Sequence, residues 1–180
     1  TYMTVPLPAD SGGRLAADFQ GDLAGVLKWA TAVAVGPGLA RSRQLDRMVT
    51  ELYRKVEQPL VVDADALNAL ADHRDVLRDH AGPRILTPHP GEMSRLVGTE
   101  IAEIQSARQE HAQRLAEDTG AIVVLKGHET VIAGEGQTAI NQTGNAGMAT
   151  GGTGDVLTGI TVAIAGQRLA ASDAARRAAH

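Results

Sequence analysis

Residues 59–70 read PLVVDADALNAL. A short apolar run, Leu60-Val61-Val62, stops at two aspartates, and apolar residues resume at once beyond them. The run has the length and β-branching of a strand, and Ala66 to Leu70 has the composition of a short helix. A carboxylate at the end of an apolar strand is costly unless it is paired or binds something. Asp65 also suits the N-cap of the following helix. One functional and one structural aspartate are expected, and the sequence alone leaves open which is which.

The same strand-to-loop unit recurs on both sides. ATAVAVGPGL (30–39) is a buried strand running into Gly-Pro-Gly, and RILTPHPGEM (84–93) is a strand running into a proline-bounded loop. Between Arg41 and Glu57, Leu45, Met48, Val49, Leu52 and Val56 fall at helical spacing. Ile101, Ile104, His111 and Leu115 predict one further helix to Asp118, ended by Gly120. AIVVLKG (121–127) and ETVIAG (129–134) read as two strands joined tightly. DVLTGITVAIAG (155–166) is apolar nearly all round, which predicts a buried helix. Strands alternating with helices make the class α/β with a mainly parallel sheet. GPG, DAD, TPHPGE, KGHE and GGTGD each follow a strand or open a helix, which is where open α/β sheets bind ligands.

Composition narrows the function. The chain has 180 residues, enough for one domain with a sizeable core. Aromatics make up only 2%, so aliphatic side chains must fill that core. A net charge of −4 and no Lys/Arg run longer than two argue against nucleic-acid binding. With no cysteine there is no disulfide, thiolate metal site or cysteine nucleophile. No apolar run is long enough to span a membrane, and no signal peptide opens the chain, so a cytoplasmic protein is expected. Thr1-Tyr2-Met3 at the start and AARRAAH at the end read as cut edges. Residues 1–180 are therefore expected to be a single domain, incomplete at both ends.

The residues that can carry chemistry lie in the loops. Gly144, Gly147, Gly151, Gly152 and Gly154 lead into Asp155 at a helix start. Bare backbone N–H groups at a helix N-terminus suit a phosphate oxygen, and an aspartate there can take a proton from an attacking hydroxyl. No Gly-Lys-Ser/Thr follows, so this is not a Walker loop, nor is it a dinucleotide G-x-G-x-x-G fingerprint. His89 stands between two prolines that stiffen its loop. Glu92 can cap the next helix or help to hold a hydrated Mg²⁺. Lys126 can meet a nucleotide phosphate or be a solvated hairpin lysine. His73, His80 and His111 have no metal-ligand spacing and read as surface residues.

VVDADALNAL (61–70), LTPHPGEMSRL (86–96), VVLKGHETVIA (123–133) and NQTGNAGMATGGTGDVLTGI (141–160), in that order, resemble the ADP- or ATP-dependent NAD(P)H-hydrate dehydratases, a branch of the ribokinase-like superfamily. The resemblance implies a ribokinase-like three-layer α/β/α sandwich. It also implies a repair lyase that phosphorylates the 6S hydrate of NADH or NADPH from ADP or ATP, with Mg²⁺, and then eliminates phosphate. On this resemblance Asp155 is the substrate-contacting base, and Gly38 and His89 contact the hydrate. Lys126, Gly127, His128, Glu129, Thr130 and Gly154 contact the nucleotide, and Gly151, Gly152, Thr153 and Gly154 form the anion hole. Glu92 corresponds to a glutamate that reaches metal through water. Family likeness further implies a homo-tetramer and a fused or separate epimerase. The competing readings are a ribokinase-like kinase for a vitamin precursor or sugar, and a nucleotide-binding module without catalysis. His89, where related kinases carry Asn, and the GNAGMA block favour the dehydratase.

Overall fold

The computed structural model describes residues 3–9, 11–13, 15 and 20–180, so the reading of Thr1-Tyr2 as a cut edge lies outside the described residues. In chain order the elements are α1 (Gln20–Leu27), β1 (Val33–Val35), α2 (Arg43–Lys55), β2 (Leu60–Val62), α3 (Ala64–Ala71), a 3₁₀ turn (Arg74–Arg78), β3 (Arg84–Leu86) and α4 (Pro90–Val97). There follow α5 (Ile101–Ser106), α6 (Arg108–Thr119), β4 (Ile122–Leu125), β5 (Val131–Gly134), β6 (Gln137–Ile140), a 3₁₀ turn (Ala146–Met148), α7 (Thr153–Ala165) and α8 (Ala171–Ala179).

The six strands lie in sequence order, β1 to β4 parallel and β5 and β6 antiparallel. A parallel sheet that grows in one direction through right-handed crossovers puts every crossover helix on the same face. Accordingly α2, α3, α4 and α6 pack on Leu60, Val62, Leu86, Val123 and Leu125. The alternate residues Val61, Ile85, Ile122, Val124 and Ile132 face the other way, and α7 and α8 return after β6 to cover them. The result is the expected α/β/α sandwich, with a mixed sheet. Each fully buried aliphatic side chain contributes about 1.5–3 kcal/mol. The antiparallel tail is closed by Glu135 (φ 53°) and Gly136 (φ 72°), a two-residue primed turn, and its last strand QTAI is short and polar enough to escape sequence reading.

Three local expectations are corrected. The helix over 101–118 is two helices, because Ala107 (φ −138°, ψ 47°) leaves helical geometry. The break lets Ile104 enter the core while Ala112, Leu115 and Ala116 of α6 face the sheet. The buried helix over 155–166 buries only the stripe Thr158, Thr161 and Ala165 and leaves Val156 and Ile160 exposed. A segment apolar all round carries no period to show which face meets the sheet. His80 is not a surface residue: its ring nitrogens bond Gly82 O at 2.9 Å and Thr119 O at 3.0 Å, and its edge meets the Tyr53 ring.

One buried cation organises the end of α2. Arg84, inside strand β3, is 1% exposed and donates to the carbonyls of Tyr53 and Val56 at 2.5–2.8 Å. It also lies 5.4 Å from the centre of the Tyr53 ring. Burial pushes its pKa down to about 10, so it stays charged at neutral pH. The positive group sits against the negative end of the α2 dipole, where a cation is favoured.

Candidate active site

The carboxyl ends of β1 to β4 and the N-terminus of α7 meet at one place. The loop after β1 is seated directly on Asp63: a Cβ at Gly36 (φ 131°) would fall 1.8 Å from the Asp63 carbonyl oxygen. Only glycine fits there. Gly38 (φ 66°) lies exposed two residues further on. Ala40 N–H donates to Asp65 Oδ2 at 2.8 Å, so Asp65 pins this loop and is the structural aspartate. Asp63 stands at the N-cap position of α3 yet makes no side-chain cap bond. Instead Oδ1 accepts from Lys126 Nζ at 2.6 Å and Oδ2 from Thr158 Oγ1 at 2.8 Å, with the residue 1% exposed. A buried carboxylate is thus satisfied by β4 and α7 rather than by its own helix.

The loop after β3 is equally fixed. His89 Nδ1 accepts from the N–H groups of Gly91 (2.9 Å) and Glu92 (3.3 Å), and Glu92 Oε2 accepts from His89 N–H at 2.8 Å. This is a capping box with histidine in the place of serine or threonine, with Pro90 at the first helical position. Because Nδ1 accepts twice, the ring proton belongs on Nε2, which lies 3.5 Å from Glu92 Oε1 on a half-exposed side chain. Glu92 is therefore a cap, one of the two roles expected for it, while its Oε2 also lies 3.7 Å from Lys126 Nζ. Lys126 is no solvated hairpin lysine: its ammonium is shared by two carboxylates. His128 and Glu129 are exposed in the β4–β5 loop, and Thr130 Oγ1 donates to Gly127 O at 3.0 Å.

The glycine run completes the site. Gly152 (φ 91°) is the N-cap of α7 and offers no side-chain acceptor. Thr153 N–H bonds Thr150 O, whereas the N–H groups of Gly151, Gly152, Gly154 and Asp155 meet no protein acceptor among the described residues. A Cβ on Gly154 would lie 3.5 Å from Lys126 Nζ and 3.8 Å from Asp63 Oδ2, so the bare helix start faces the Lys126–Asp63 pair. Asp155 is exposed, and its carboxylate has no hydrogen-bond or ion-pair partner among the described residues. Unpaired N–H groups, a helix dipole and an ammonium are together suited to receive an anionic oxygen, with the exposed Asp155 carboxylate beside them.

No three His, Cys, Asp or Glu side chains gather as a metal cage among the described residues. The donor set still fits Mg²⁺, which keeps several waters and takes one or two carboxylates together with substrate phosphates. Glu92, whose Oε1 has only the half-exposed His89 Nε2 nearby at 3.5 Å, is the carboxylate that would reach such an ion.

Comparison with known proteins identifies the family. A family profile described as NAD(P)H-hydrate dehydratase matches residues 8–180. The chain belongs to the NAD(P)H-hydrate dehydratase family. The bifunctional NAD(P)H-hydrate repair enzyme Nnr of Moorella thermoacetica is 51% identical over 168 residues, 93% of this chain and 32% of that protein. The ADP/ATP-dependent NAD(P)H-hydrate dehydratase of Bacillus subtilis, co-crystallised with ATP/Mg²⁺, superposes with a TM-score of 0.72 at 35% identity, over 82% of this chain and 52% of that one. A ribokinase-like superfamily protein of Enterococcus faecalis reaches 0.74 at 28% identity, over 89% and 57% of the two chains. The chain thus spans about a third of the curated relative and about half of the solved structures.

The structure gathers Asp63, Glu92 and Gly154 around the Lys126 ammonium, with His89 joined to this group through Glu92. Sequence reading marks Asp63 but not its partners, and it does not mark Thr158, which lies inside an apolar helix. A hydroxyl on an otherwise apolar segment was the available signal. Among the described residues no helix is long and apolar enough to cross a membrane.

Proposed function

We propose that this domain dehydrates the 6S hydrate of NADH or NADPH, with ADP or ATP as phosphoryl donor. The observation that carries the reading is the start of α7: unpaired N–H groups facing Lys126, with the unpartnered Asp155 one residue beyond Gly154. Family membership supplies the substrate class, and the donors are those in the name of the Bacillus subtilis relative.

Asp155 accepts the proton of the ring hydroxyl as that oxygen attacks the terminal phosphorus of the nucleotide. The bond to the leaving AMP or ADP oxygen breaks. The N–H groups of Gly151, Gly152 and Gly154 stabilise the charge spread over the transferred group. Lys126, held by Asp63 and Glu92, meets the nucleotide phosphates together with the 127–130 loop. Mg²⁺, when bound, would neutralise phosphate charge beside Glu92. His89 and Gly38 orient the hydrate. Phosphate then departs with the C–O bonding pair, the ring nitrogen lone pair restores conjugation, and a ring proton is lost. Nothing is oxidised or reduced.

The reading extends to a homo-tetramer in the cytoplasm, working beside a fused or separate epimerase. Incubation of the protein with hydrated NADH, Mg²⁺ and ADP or ATP is expected to restore reduced-nicotinamide absorbance; no recovery with either nucleotide rejects the assignment. Asp155→Asn is expected to abolish turnover while nucleotide still binds, and near-normal turnover removes Asp155 from the base role.

A further inference from the structure

A groove of about 450 Å³ is lined by Arg41, Asn68, Ala71, Asp72, Arg74 and Arg95, none of them among the site residues just described. Its volume is within the range of small-molecule sites, about 300–1,000 Å³. Three guanidinium groups face one carboxylate. Arg41 is spent on acids: it pairs with Asp46 at 2.8 Å and with Asp72 at 2.6 Å. Arg74 and Arg95 have no carboxylate partner among the described residues. Neutral acceptors hold them instead. Arg74 Nη2 donates to Arg95 O at 2.6 Å and Nε to Ala71 O at 3.3 Å, while Arg95 Nη1 donates to Asn68 Oδ1 at 2.9 Å. Among the described residues, Arg74 Nη1 and Arg95 Nε and Nη2 keep free donors.

The position of Arg74 is built into the backbone. A Cβ at Gly98 (φ 75°), the C-cap of α4, would lie 2.5 Å from Arg74 Nη1. A glycine that ends the helix therefore also makes room for the guanidinium. Two uncompensated guanidinium groups, each fixed along one edge and open along another, match the oxygens of a phosphate group.

We propose that this groove is a second phosphate-binding subsite, for a phosphorylated small molecule, separate from the glycine run at α7. Arg41 follows Gly38 by three residues, a span of at most about 10 Å of extended chain. A phosphate of the dinucleotide substrate is one source of the ligand, and a separate phosphorylated metabolite is the other. Only the first rests on the dehydratase reading.

The test is calorimetric titration with inorganic pyrophosphate. R95Q is expected to weaken binding about tenfold, the loss of charge-assisted hydrogen bonds. D72N, which removes the one carboxylate lining the groove, is expected to tighten it. R114Q, on the exposed face of α6, is expected to leave it unchanged. Pyrophosphate held at the α7 glycine run contributes equally in all four proteins, so the differences isolate the groove. Equal affinity in wild type, R95Q and D72N overturns the proposal, and D72N alone decides it if R95Q does not fold by circular dichroism. A KM for hydrated NADPH that rises in R95Q with kcat kept assigns the phosphate to the substrate. An unchanged KM with weakened pyrophosphate binding assigns it to a separate ligand. Failure of the wild type to turn over any hydrate leaves the pyrophosphate result readable.

Discussion

Replacing Lys126 by methionine removes the ammonium while keeping most of the side-chain volume. Asp63, 1% exposed, would keep only Thr158 Oγ1 as a donor to its carboxylate, and Glu92 would lose the nearest cation. Breaking a buried ion pair from one side costs about 3–5 kcal/mol, because the remaining charge stays buried without compensation. For a chain of this size each kcal/mol lowers the melting temperature by about 2–4 °C, so K126M should melt roughly 10 °C below wild type. The double variant D63N/K126M removes both charges, and its asparagine oxygen still accepts from Thr158. Its loss should fall short of the sum of the single losses by at least about 1.5 kcal/mol. Calorimetry or urea denaturation of the four proteins reads both quantities. A K126M protein within about 1 kcal/mol of wild type, or strictly additive losses, would refute the view that Lys126 compensates a buried Asp63.

Gly154→Ala separates space from stability. Its methyl would make ordinary contacts at 3.5 and 3.8 Å, so folding stability should change by less than about 1 kcal/mol while nucleotide affinity falls about tenfold, as read by titration with ADP. Gly36→Ala should cost at least about 3 kcal/mol in urea denaturation, since its Cβ would overlap the Asp63 carbonyl. Arg84→Met should lower stability by about 2–4 kcal/mol by leaving buried carbonyls of Tyr53 and Val56 without donors; Arg84→Lys should restore only part of it, because an ammonium lacks the planar fork.

Where sequence reading succeeded, a local rule had only one solution. The strand-ending loops were legible because short apolar strands stop at Gly36, Asp63, Thr87 and Lys126, and the sheet brings those ends together at the candidate site. Gly120 caps α6 with φ 76° because a left-handed residue was needed there. The failures lie where the partner is remote in sequence. Nothing near Asp63 announces Lys126 or Thr158. Nothing near Arg84 announces that the end of α2 needs a donor. The faces of α7 were equally silent, since an unbroken apolar pattern fits several orientations. The roles of Asp63 and Asp65 became distinct only when Ala40 and Lys126 were placed beside them.

The site is joined across long stretches of chain. Lys126 and Thr158 lie 63 and 95 residues from Asp63 along the sequence. Contacts of that separation carry the largest loop-closure entropy and tend to slow folding. The strands and the helices on one face can assemble by local βα steps, but the proposed anion receptor needs α7 docked on the opposite face, with Thr158 reaching Asp63. The proposed phosphate receptor therefore depends on contacts between segments far apart in the chain. A ligand held between the α7 N-terminus and Lys126 would clamp the last layer to the sheet, so its effect should be greatest on the unfolding of that layer.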